Sequence, residues 1–360
     1  MSLLFLLTCL PLAAAEPPQE PDFTEMSLEE LGAIKVPNVY GASKHEQKVT
    51  DAPSAVSIVT ADDIRRHGYR TLGAILRSVR GFYVDSDRAY DFIGVRGVNR
   101  PGDYGGRILI TVDGHRLNDP LYDTATAGMD FILDVDLIER VEVIRGPGSS
   151  LYGNNAFFGV INVITRKGRG MDGVELSGSA ASLDAYTGRA SYGSQLPNGV
   201  EVMVSGTAYE SAGNPRLFYP EFSSVNGGVA ENMDDGRARS AYASVSWRDV
   251  SFASGYVKSR KTWPTAAYTV GDDVIVFNDP RFFSFDERAF TSLAFDRTFS
   301  DDSTFRALAY YDRYSFYGQY PYGYRDPEIP VTLNRDEVQS QSVGFEVQAS
   351  RTYRGKHRIT

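Results

Sequence analysis

The chain has 360 residues, and its 37 Lys and Arg against 46 Asp and Glu give a net charge of −9. This balance lacks the basic footprint of a nucleic-acid-binding protein, and beyond the extreme N-terminus no apolar run is long enough for a membrane-spanning helix. The 34 glycines, 22 tyrosines and 20 phenylalanines are typical of β-structure at a boundary between water and lipid.

The chain begins with an apolar segment. Leu3–Leu12 is hydrophobic and is followed by Ala13–Ala15, the small-residue pattern that signal peptidase cuts, so residues 1–15 are predicted to be a signal peptide. A lipoprotein interpretation of the single cysteine, Cys9, is weaker because Thr8 stands where a small residue is needed. The mature chain is therefore expected to lack disulfides, thiolate metal sites and cysteine nucleophiles.

Residues 16–50 are predicted to be a mobile N-terminal segment, because their first part is acidic and rich in proline. A short helix is an alternative for part of this segment. Ser27 and Glu30 have the spacing of a capping box, and Gly32 follows where such a helix would end.

Residues 51–168 are predicted to form a compact α+β domain. Thr60 and Asp63 have the spacing of a helix cap, and the helix is expected to stop at Gly68. A second helix carries apolar residues at i, i+3, i+4 and i+7 and is expected to end at Gly81. Its apolar face is Leu72, Ile75, Leu76 and Val79, and strands are predicted at Ala55–Val59, Ile93–Arg96, Arg107–Val112, Ile138–Ile144 and Val160–Thr165.

Residues 169–360 alternate between apolar and polar side chains, as β-strands with two different faces do. Runs such as Val200–Tyr209 are long enough to cross a bilayer as tilted strands. The links alternate in length, which is typical of an outer-membrane barrel with turns at one rim and long loops at the other. Turns are predicted at 197–199, 248–250, 301–302 and 354–356, long links at 212–236, 263–284 and 318–334, and an exceptional short link at 183–185.

This pattern contains about eight strands and the first residues of a ninth, His357–Thr360. A barrel of eight strands has room only for side chains, whereas a domain of ~120 residues has a radius of gyration near 14 Å. Barrels of 22 strands do contain a plugged lumen, and at roughly 23 residues a strand they need about 500 residues. We therefore expect a C-terminally truncated chain with about 8 of a presumed 22 strands.

Four segments carry a resemblance to a known family. They are Ala52–Ile64, Val95–Val98, Ile110–Gly114 and the long run Ile138–Thr165, which contains Ile144-Arg145-Gly146-Pro147 and Asn162-Val163-Ile164-Thr165. In this order they resemble the plug domain of TonB-dependent outer-membrane receptors, and the later strands resemble the first part of the receptor barrel. The resemblance implies an α+β plug followed by a transmembrane antiparallel β-barrel, in the outer membrane of a Gram-negative bacterium.

The resemblance also implies a function and partners. The function is TonB-dependent active transport of an external ligand, such as a siderophore-type iron chelate or a similar nutrient. The implied partners are TonB in the periplasm, outer-membrane lipid and a small ligand, without nucleic acid, cofactor or catalytic residues. Two alternatives stay open: a passive or adhesive barrel with a static plug, and a soluble secreted enzyme with a β-domain.

Family members carry a TonB box just before the plug, and here the best candidate lies in Lys35–Ala42. Its β-prone residues suit a partner that adds a strand to its own sheet, although Pro37 lacks one amide donor. An ordinary linker is the alternative. The predicted TonB-binding residues are Val36, Pro37, Asn38, Val39 and Tyr40.

Charged and glycine residues in the family motifs are candidates for seating the plug in a hydrated lumen. The alternative is a set of surface ion pairs, each worth under about 1 kcal/mol. The predicted seating residues are Arg96, Gly97, Glu142, Arg145 and Gly146.

The densest aromatic cluster is predicted to lie at the edge and tip of an external loop, where tyrosines can stack on a ring-bearing ligand. A membrane-interface girdle that continues into a self-packed loop is the alternative. The predicted ligand-binding residues are Tyr320, Tyr322 and Tyr324.

No pattern indicates catalysis or a metal site. Asp113-Gly114-His115 is a hairpin signal without a paired nucleophile, and Arg145–Gly153 is predicted to be a turn because it lacks the Gly-Lys-Ser/Thr of a phosphate loop. The four histidines are scattered along the chain. The sequence does not distinguish an iron chelate from cobalamin, a sugar or a peptide as ligand.

Overall fold

The computed structural model describes residues 38–41, 47–99, 102–267, 274–300, 303–324, 328, 331–353 and 357–360. The predicted signal peptide, the possible helix near Ser27, and Val36 and Pro37 of the predicted TonB box lie outside the described residues. The strands are β1 (Asn38–Val39), β2 (Gln47–Lys48), β3 (Ala55–Thr60), β4 (Phe82–Ser86), β5 (Asp91–Val95), β6 (Ile108–Val112), β7 (His115–Arg116), β8 (Ile138–Arg145), β9 (Gly159–Thr165), β10 (Gly173–Ala181), β11 (Ala185–Gln195), β12 (Glu201–Ser211), β13 (Arg216–Phe218), β14 (Val229–Glu231), β15 (Gly236–Trp247), β16 (Val250–Thr262), β17 (Phe283–Ser300), β18 (Ser303–Tyr322), β19 (Thr332–Tyr353) and β20 (His357–Ile359). The helices are α1 (Ala61–His67), α2 (Leu72–Arg77) and α3 (Ser149–Tyr152), with 3-10 turns at Val49–Asp51, Val135–Leu137, Gly168–Gly170, Pro220–Phe222 and Asn226–Gly228.

Residues 47–165, here called the inner domain, surround a five-stranded sheet in the order β3-β8-β9-β6-β7. β6 and β9 are parallel, and the other neighbours are antiparallel. Each strand predicted between 55 and 165 is present, with bounds that differ by up to two residues. The prediction omitted β4, which pairs with β5 as a separate hairpin.

The first helix has the predicted ends. The Thr60 hydroxyl accepts a hydrogen bond from the Asp63 backbone, the Asp63 carboxylate accepts one from the Thr60 backbone, and Gly68 ends the helix at φ +66°. The second helix ends at Arg77, earlier than predicted, although Val79 beyond it is buried. Apolar spacing therefore marked the buried face correctly but not the end of the helix.

The segment predicted as a turn at Arg145–Gly153 contains one helical turn, α3, so the prediction was wrong for these four residues. Gly146 at φ +130° and Gly153 at φ +71° flank the helix in conformations that favour glycine. The short helix brings the Tyr152 side chain toward the start of the described chain, which matters for the site below.

The wall is a nine-stranded antiparallel sheet in the order β10-β11-β12-β15-β16-β17-β18-β19-β20. Its eight long strands and short ninth strand agree with the count predicted from alternation. Val174, Val343 and Phe345 are at least 72% exposed on the outer face, whereas Ser205 and Arg288 are buried on the inner face. The two faces therefore have the opposite polarity to a soluble barrel, as strands facing lipid require.

The wall has two different rims. Within the described residues, the turn rim joins strands through residues 196–200 and 248–249, and the loop rim through 182–184, 212–235 and the links that begin after Thr262 and Tyr322. The predicted turns at 301–302 and 354–356 lie outside the described residues. The long link predicted at 318–334 is shorter, because β18 continues to Tyr322 and pairs there with Thr332. Gly318 and Pro321 interrupt the apolar alternation without interrupting the backbone pairing, so the sequence pattern ended before the strand did.

The inner domain packs against the inner face of the wall. The largest apolar cluster joins Ile132 and Ile161 of the inner domain with Met203, Val257 and Phe290 of the wall. Among the described residues, no helix is both long and apolar enough to cross a lipid bilayer. The two parts share one core, so contacts between them position the functional residues described next.

Candidate functional site

The described residues of the predicted TonB box are docked on the inner domain. Asn38 and Val39 form β1, which pairs antiparallel with β2. Val39 is fully buried in an apolar cluster with Leu109, Ile144 and Val160. Residues 38–41 are called the docked segment below.

A buried carboxylate binds the backbone of the docked segment. Oε2 of Glu142 accepts hydrogen bonds from the backbone N–H groups of Gly41 at 2.8 Å and Tyr40 at 3.2 Å, and from Asn162 Nδ2 at 3.1 Å. The other oxygen, Oε1, pairs with Arg140 at 3.0 Å. Glu142 was predicted to seat the inner domain against the wall, but in the described structure it contacts the docked segment.

A tyrosine binds the last carbonyl of the docked segment. The Tyr152 hydroxyl donates to the Gly41 carbonyl at 2.6 Å. Burial raises the pKa of this phenol well above its ordinary value, so it remains a hydrogen-bond donor at neutral pH. A Cβ on Gly41 would lie 2.6 Å from Ile144 Cδ1, so only glycine can approach this closely here.

Arg306 on β18 connects the docked segment to the wall. Its Nη1 donates to the Tyr40 hydroxyl at 2.8 Å, and its guanidinium lies 5.4 Å from the centre of the Tyr40 ring. Its Nη2 donates to the Asp113 carbonyl of the inner domain at 3.0 Å. Burial raises the pKa of Tyr40, with the Arg306 charge acting in the opposite direction. One wall residue thus contacts both the inner domain and the docked segment.

The other predicted seating residues contact the inner domain itself: Arg96 and Gly97 lie in a turn, Arg145 ends β8 and Gly146 follows it. Arg96 has φ +53° and an exposed side chain, and its backbone N–H donates to the Gly81 carbonyl; Gly97 follows at φ +78°. Arg145 donates to the Arg80 carbonyl at 3.3 Å. The N–H of Gly146 donates to the Phe158 carbonyl at 3.0 Å.

Polar contacts between the inner domain and the wall come from residues that the sequence analysis did not select. The wall partners in these contacts could have been found from the sequence, because their polar side chains alternate along each strand with the side chains of the outer face. These contacts are His115 Nε2 to Asp312 Oδ1 at 2.8 Å, Arg288 to Asp119 at 3.4 Å, Arg189 to Asp136 at 3.3 Å, Thr207 to Asp134 at 3.0 Å and Tyr90 to Asp286 at 2.7 Å.

An aromatic cluster lies at the loop rim. Tyr90, at the tip of the β4–β5 hairpin, contacts Trp263 edge to face at 5.7 Å, Trp263 stacks on Phe282 at 5.4 Å, and Phe282 contacts Tyr320 at 5.5 Å. Tyr320 and Tyr322 are among the last three residues of strand β18 and do not lie in a loop. Tyr324 follows the strand and is 42% exposed. Only part of the predicted tyrosine set therefore joins this cluster within the described structure.

Two long links of the loop rim pack on each other. Ala230, Met233 and Phe277 form a separate small core between residues 212–235 and 263–282. Arg88 of the inner domain lies 3.7 Å from Asp234 in the first of these loops. Within the described part of the chain, no group of three or more His, Cys, Asp or Glu side chains is arranged to bind a metal ion.

Comparison with known proteins agrees with this architecture. Residues 48–160 match the family model described as the TonB-dependent Receptor Plug Domain. An iron-regulated outer membrane virulence protein of Vibrio cholerae is 35% identical over 133 residues, which cover 36% of this chain and 20% of that protein. A vitamin B12 transporter of Vibrio vulnificus is 31% identical over 179 residues, covering 49% of this chain and 28% of that protein. The chain thus matches between a fifth and a third of the length of these relatives.

Solved structures share the fold at low sequence identity. The ferric yersiniabactin uptake receptor of Yersinia pestis has a TM-score of 0.59 at 18% identity, covering 83% of this chain and 46% of that receptor. The ferric-catecholate import receptor Fiu of Escherichia coli K12 has a TM-score of 0.60 at 16% identity, covering 88% and 49%. The predicted fold class, an α+β plug followed by the antiparallel strands of a receptor barrel, is confirmed.

Proposed function

We propose that this chain, which resembles the plug and first barrel strands of TonB-dependent receptors, imports an external ligand across the outer membrane of a Gram-negative bacterium. In this proposal the inner domain is the plug, and lipid covers the apolar outer face of the wall. The turn rim faces the periplasm and the loop rim the exterior, as in other outer-membrane barrels. The supporting observation is that the inner domain packs into the inner face of the wall through a shared core, so passage requires the inner domain to rearrange.

The docked segment lies where a periplasmic partner would reach it. Arg306, which binds Tyr40, is three residues from the end of β18 at the turn rim. TonB would pair with the extended backbone of Val36, Pro37, Asn38, Val39 and Tyr40 once this segment leaves the inner domain. Ligand binding must favour the undocked state, since a ligand shifts an equilibrium only through different affinities for its two states.

The external ligand would bind at the loop rim, on the inner-domain apex and the aromatic cluster. Tyr320, Tyr322 and Tyr324 are the candidate ligand residues, and rings of this kind suit a ring-bearing chelate or a similar nutrient. The similarity to an iron-regulated outer membrane virulence protein and to a vitamin B12 transporter supports a siderophore-type chelate or a comparable ligand. In this proposal the role is transport without bond chemistry, as the resemblance to transport receptors implies.

The test is deletion of residues 34–43 in the full-length gene product expressed in the outer membrane. Uptake and surface binding are measured with radiolabelled cyanocobalamin and with radioiron-labelled catecholate and hydroxamate chelates. We expect the deletion to abolish uptake of the accepted probe and to preserve its binding. Unchanged uptake would contradict the TonB-box assignment, and uptake that persists after collapse of the proton gradient would instead support a passive barrel with a static plug.

A further inference from the structure

Beside the inner domain lies a cavity of about 360 Å³ that is separate from the loop-rim aromatic cluster. This upper cavity is bounded by wall strands β10, β11, β12, β15 and β16 on one side. Its volume is near the lower end of the ~300–1,000 Å³ typical of small-molecule sites. A compact ligand would therefore fit.

The lining of the upper cavity combines polar and apolar side chains. The wall contributes hydroxyl groups from Ser179, Thr187 and Ser240, at inward positions of their strands. The inner domain contributes the apolar side chains of Phe131 and Leu133 next to the carboxylates of Asp134 and Asp136. A ligand that combines apolar surface with hydrogen-bonding groups matches this mixed lining.

Below the upper cavity lies a second, more polar cavity of about 380 Å³. Arg70, Asp136 and Arg189 line both cavities and so lie between them. These three residues are called the partition. The lower cavity is lined by four arginines and two carboxylates, namely Arg65, Arg70, Arg166, Arg189, Asp136 and Glu175. In the upper cavity the charges balance, with two arginines and two carboxylates: Arg70, Arg189, Asp134 and Asp136. The lower cavity is therefore the more attractive to an anion.

Arg189 is the central residue of this partition. Its side chain is 3% exposed, with Nη2 at 2.5 Å from Glu175 Oε1 and 3.3 Å from Asp136 Oδ2. Within the described structure, the buried Nε–H has no hydrogen-bond partner, and the nearest carboxylate, that of Asp134, is 3.6 Å away. An acidic group of a ligand could satisfy this donor, which is costly to leave unpaired.

We infer that the two cavities form an intermediate binding site and passage for a compact, partly apolar ligand with an acidic group, which Arg189 binds. This inference rests on the proposed function, because it assigns a route to the transported ligand. The partition consists of ion pairs between the wall and the inner domain rather than apolar core. A movement of the inner domain near Asp136 that breaks its ion pair with Arg189 would open the partition.

The first test measures access of charged reagents and does not depend on transport. In the full-length protein in isolated outer membranes, with Cys9 replaced by Ser, Tyr69→Cys in the lower cavity is compared with Asn198→Cys on the exposed turn rim. The probes are the sulfonatoethyl and trimethylammonioethyl methanethiosulfonates, each rate normalised to a free thiol. We expect an anion preference about tenfold greater at position 69. Equal preferences at the two positions would overturn the inference.

Two substitutions test the role of Arg189 in the same membranes. Arg189→Gln should remove most of the anion preference at Tyr69→Cys, and Arg189→Lys should restore it because the charge is retained. The lysine variant thus separates loss of charge from general loss of structure. A preference that survives in Arg189→Gln would overturn the assignment to this residue.

Uptake of the probe accepted in the deletion experiment tests the passage. Ser240→Trp fills the upper cavity, whereas Ala241→Trp places the same ring on the exposed outer face of the same strand. We expect Ser240→Trp to reduce uptake at least about tenfold with surface binding preserved, and Ala241→Trp to leave both unchanged. Normal uptake by Ser240→Trp would overturn the passage and leave the proposed function intact. Absence of uptake in the parent protein would instead refute the proposed function. In that case the reagent-access experiment would still test the anion site.

Discussion

Arg306 donates a hydrogen bond to the Tyr40 hydroxyl at 2.8 Å although the two residues are 266 positions apart in the chain. The same guanidinium donates to the Asp113 carbonyl at 3.0 Å. A movement of the inner domain relative to β18 that breaks the second contact would also alter the first. The docked segment is therefore coupled to the position of the inner domain in the wall, as the TonB-box role proposed for it requires.

The carboxylate of Glu142 should control the docking equilibrium. Glu142→Gln replaces a charged acceptor of two backbone N–H groups, and hydrogen bonds to charged groups contribute about 1.5–3 kcal/mol. We expect the undocked population to rise roughly tenfold or more. The measurement is the modification rate of a Val39→Cys thiol, which is buried only while the segment is docked.

Tyr152→Phe should have a smaller effect in the same assay. It removes one neutral hydrogen bond, to the Gly41 carbonyl, which contributes about 1 kcal/mol, so we expect a roughly fivefold faster modification. Tyr83→Phe is the matched control, because it removes a hydroxyl that donates to Asn99 elsewhere in the inner domain. Equal acceleration by both variants would indicate general loosening and would contradict a specific role for Tyr152.

Gly41→Ala should undock the segment by steric conflict. The added Cβ would lie 2.6 Å from Ile144 Cδ1, and such overpacking typically costs about 1–3 kcal/mol. Ile144→Val removes this methyl group and should restore docking in the double variant, as read by protease sensitivity of the N-terminal segment. Gly170→Ala is the control and should leave the protease sensitivity unchanged, because its Cβ would meet no atom within 4 Å. If Ile144→Val fails to restore docking, a contact other than Ile144 causes the conflict.

The sequence predicted the elements that local chemistry determines. The Thr60–Asp63 spacing and Gly68 predicted both ends of α1, because the cap and the left-handed glycine act within one turn. The alternation of side chains predicted the loop at 212–236 nearly to the residue, because the period of two stops where the strand pairing stops. Elements determined by such local signals can be predicted without knowledge of the tertiary contacts.

The candidate site could be predicted only in part. Glu142 and the TonB-box residues were each selected from motifs, but nothing local indicated that Glu142 binds the Gly41 backbone 101 residues earlier. Arg306 and Tyr152 were not selected, because their importance arises from tertiary contacts with the docked segment. Tyr320 and Tyr322 were assigned to a loop since residues near Pro321 break the alternation, although strand pairing continues through them.

The loop-rim tyrosines should contribute to ligand binding unequally. Tyr320 contacts Phe282 within the aromatic cluster, and aromatic pairs contribute about 0.5–1.5 kcal/mol beyond area burial. We expect Tyr320→Leu to weaken surface binding of the accepted probe about two- to tenfold. Tyr311→Leu, an exposed position on the same strand away from the rim, is the control. Equal binding by the two variants would exclude Tyr320 from the ligand site.

Asp130 should make the stability of the protein depend on pH. Burial raises the pKa of its carboxyl from 3.8 to about 7, against the opposing effect of Arg288. Between about pH 4 and 7 the folded state therefore binds a proton that the unfolded state has released, so this contribution to stability falls as pH rises and is constant above pH 7. Asp130→Asn should make the slope between about pH 4 and 7 shallower and raise the melting temperature at pH 8, measured for the full-length protein in detergent. Asp123→Asn at an exposed position should retain the parent slope. An unchanged slope in Asp130→Asn would show that other groups set the dependence.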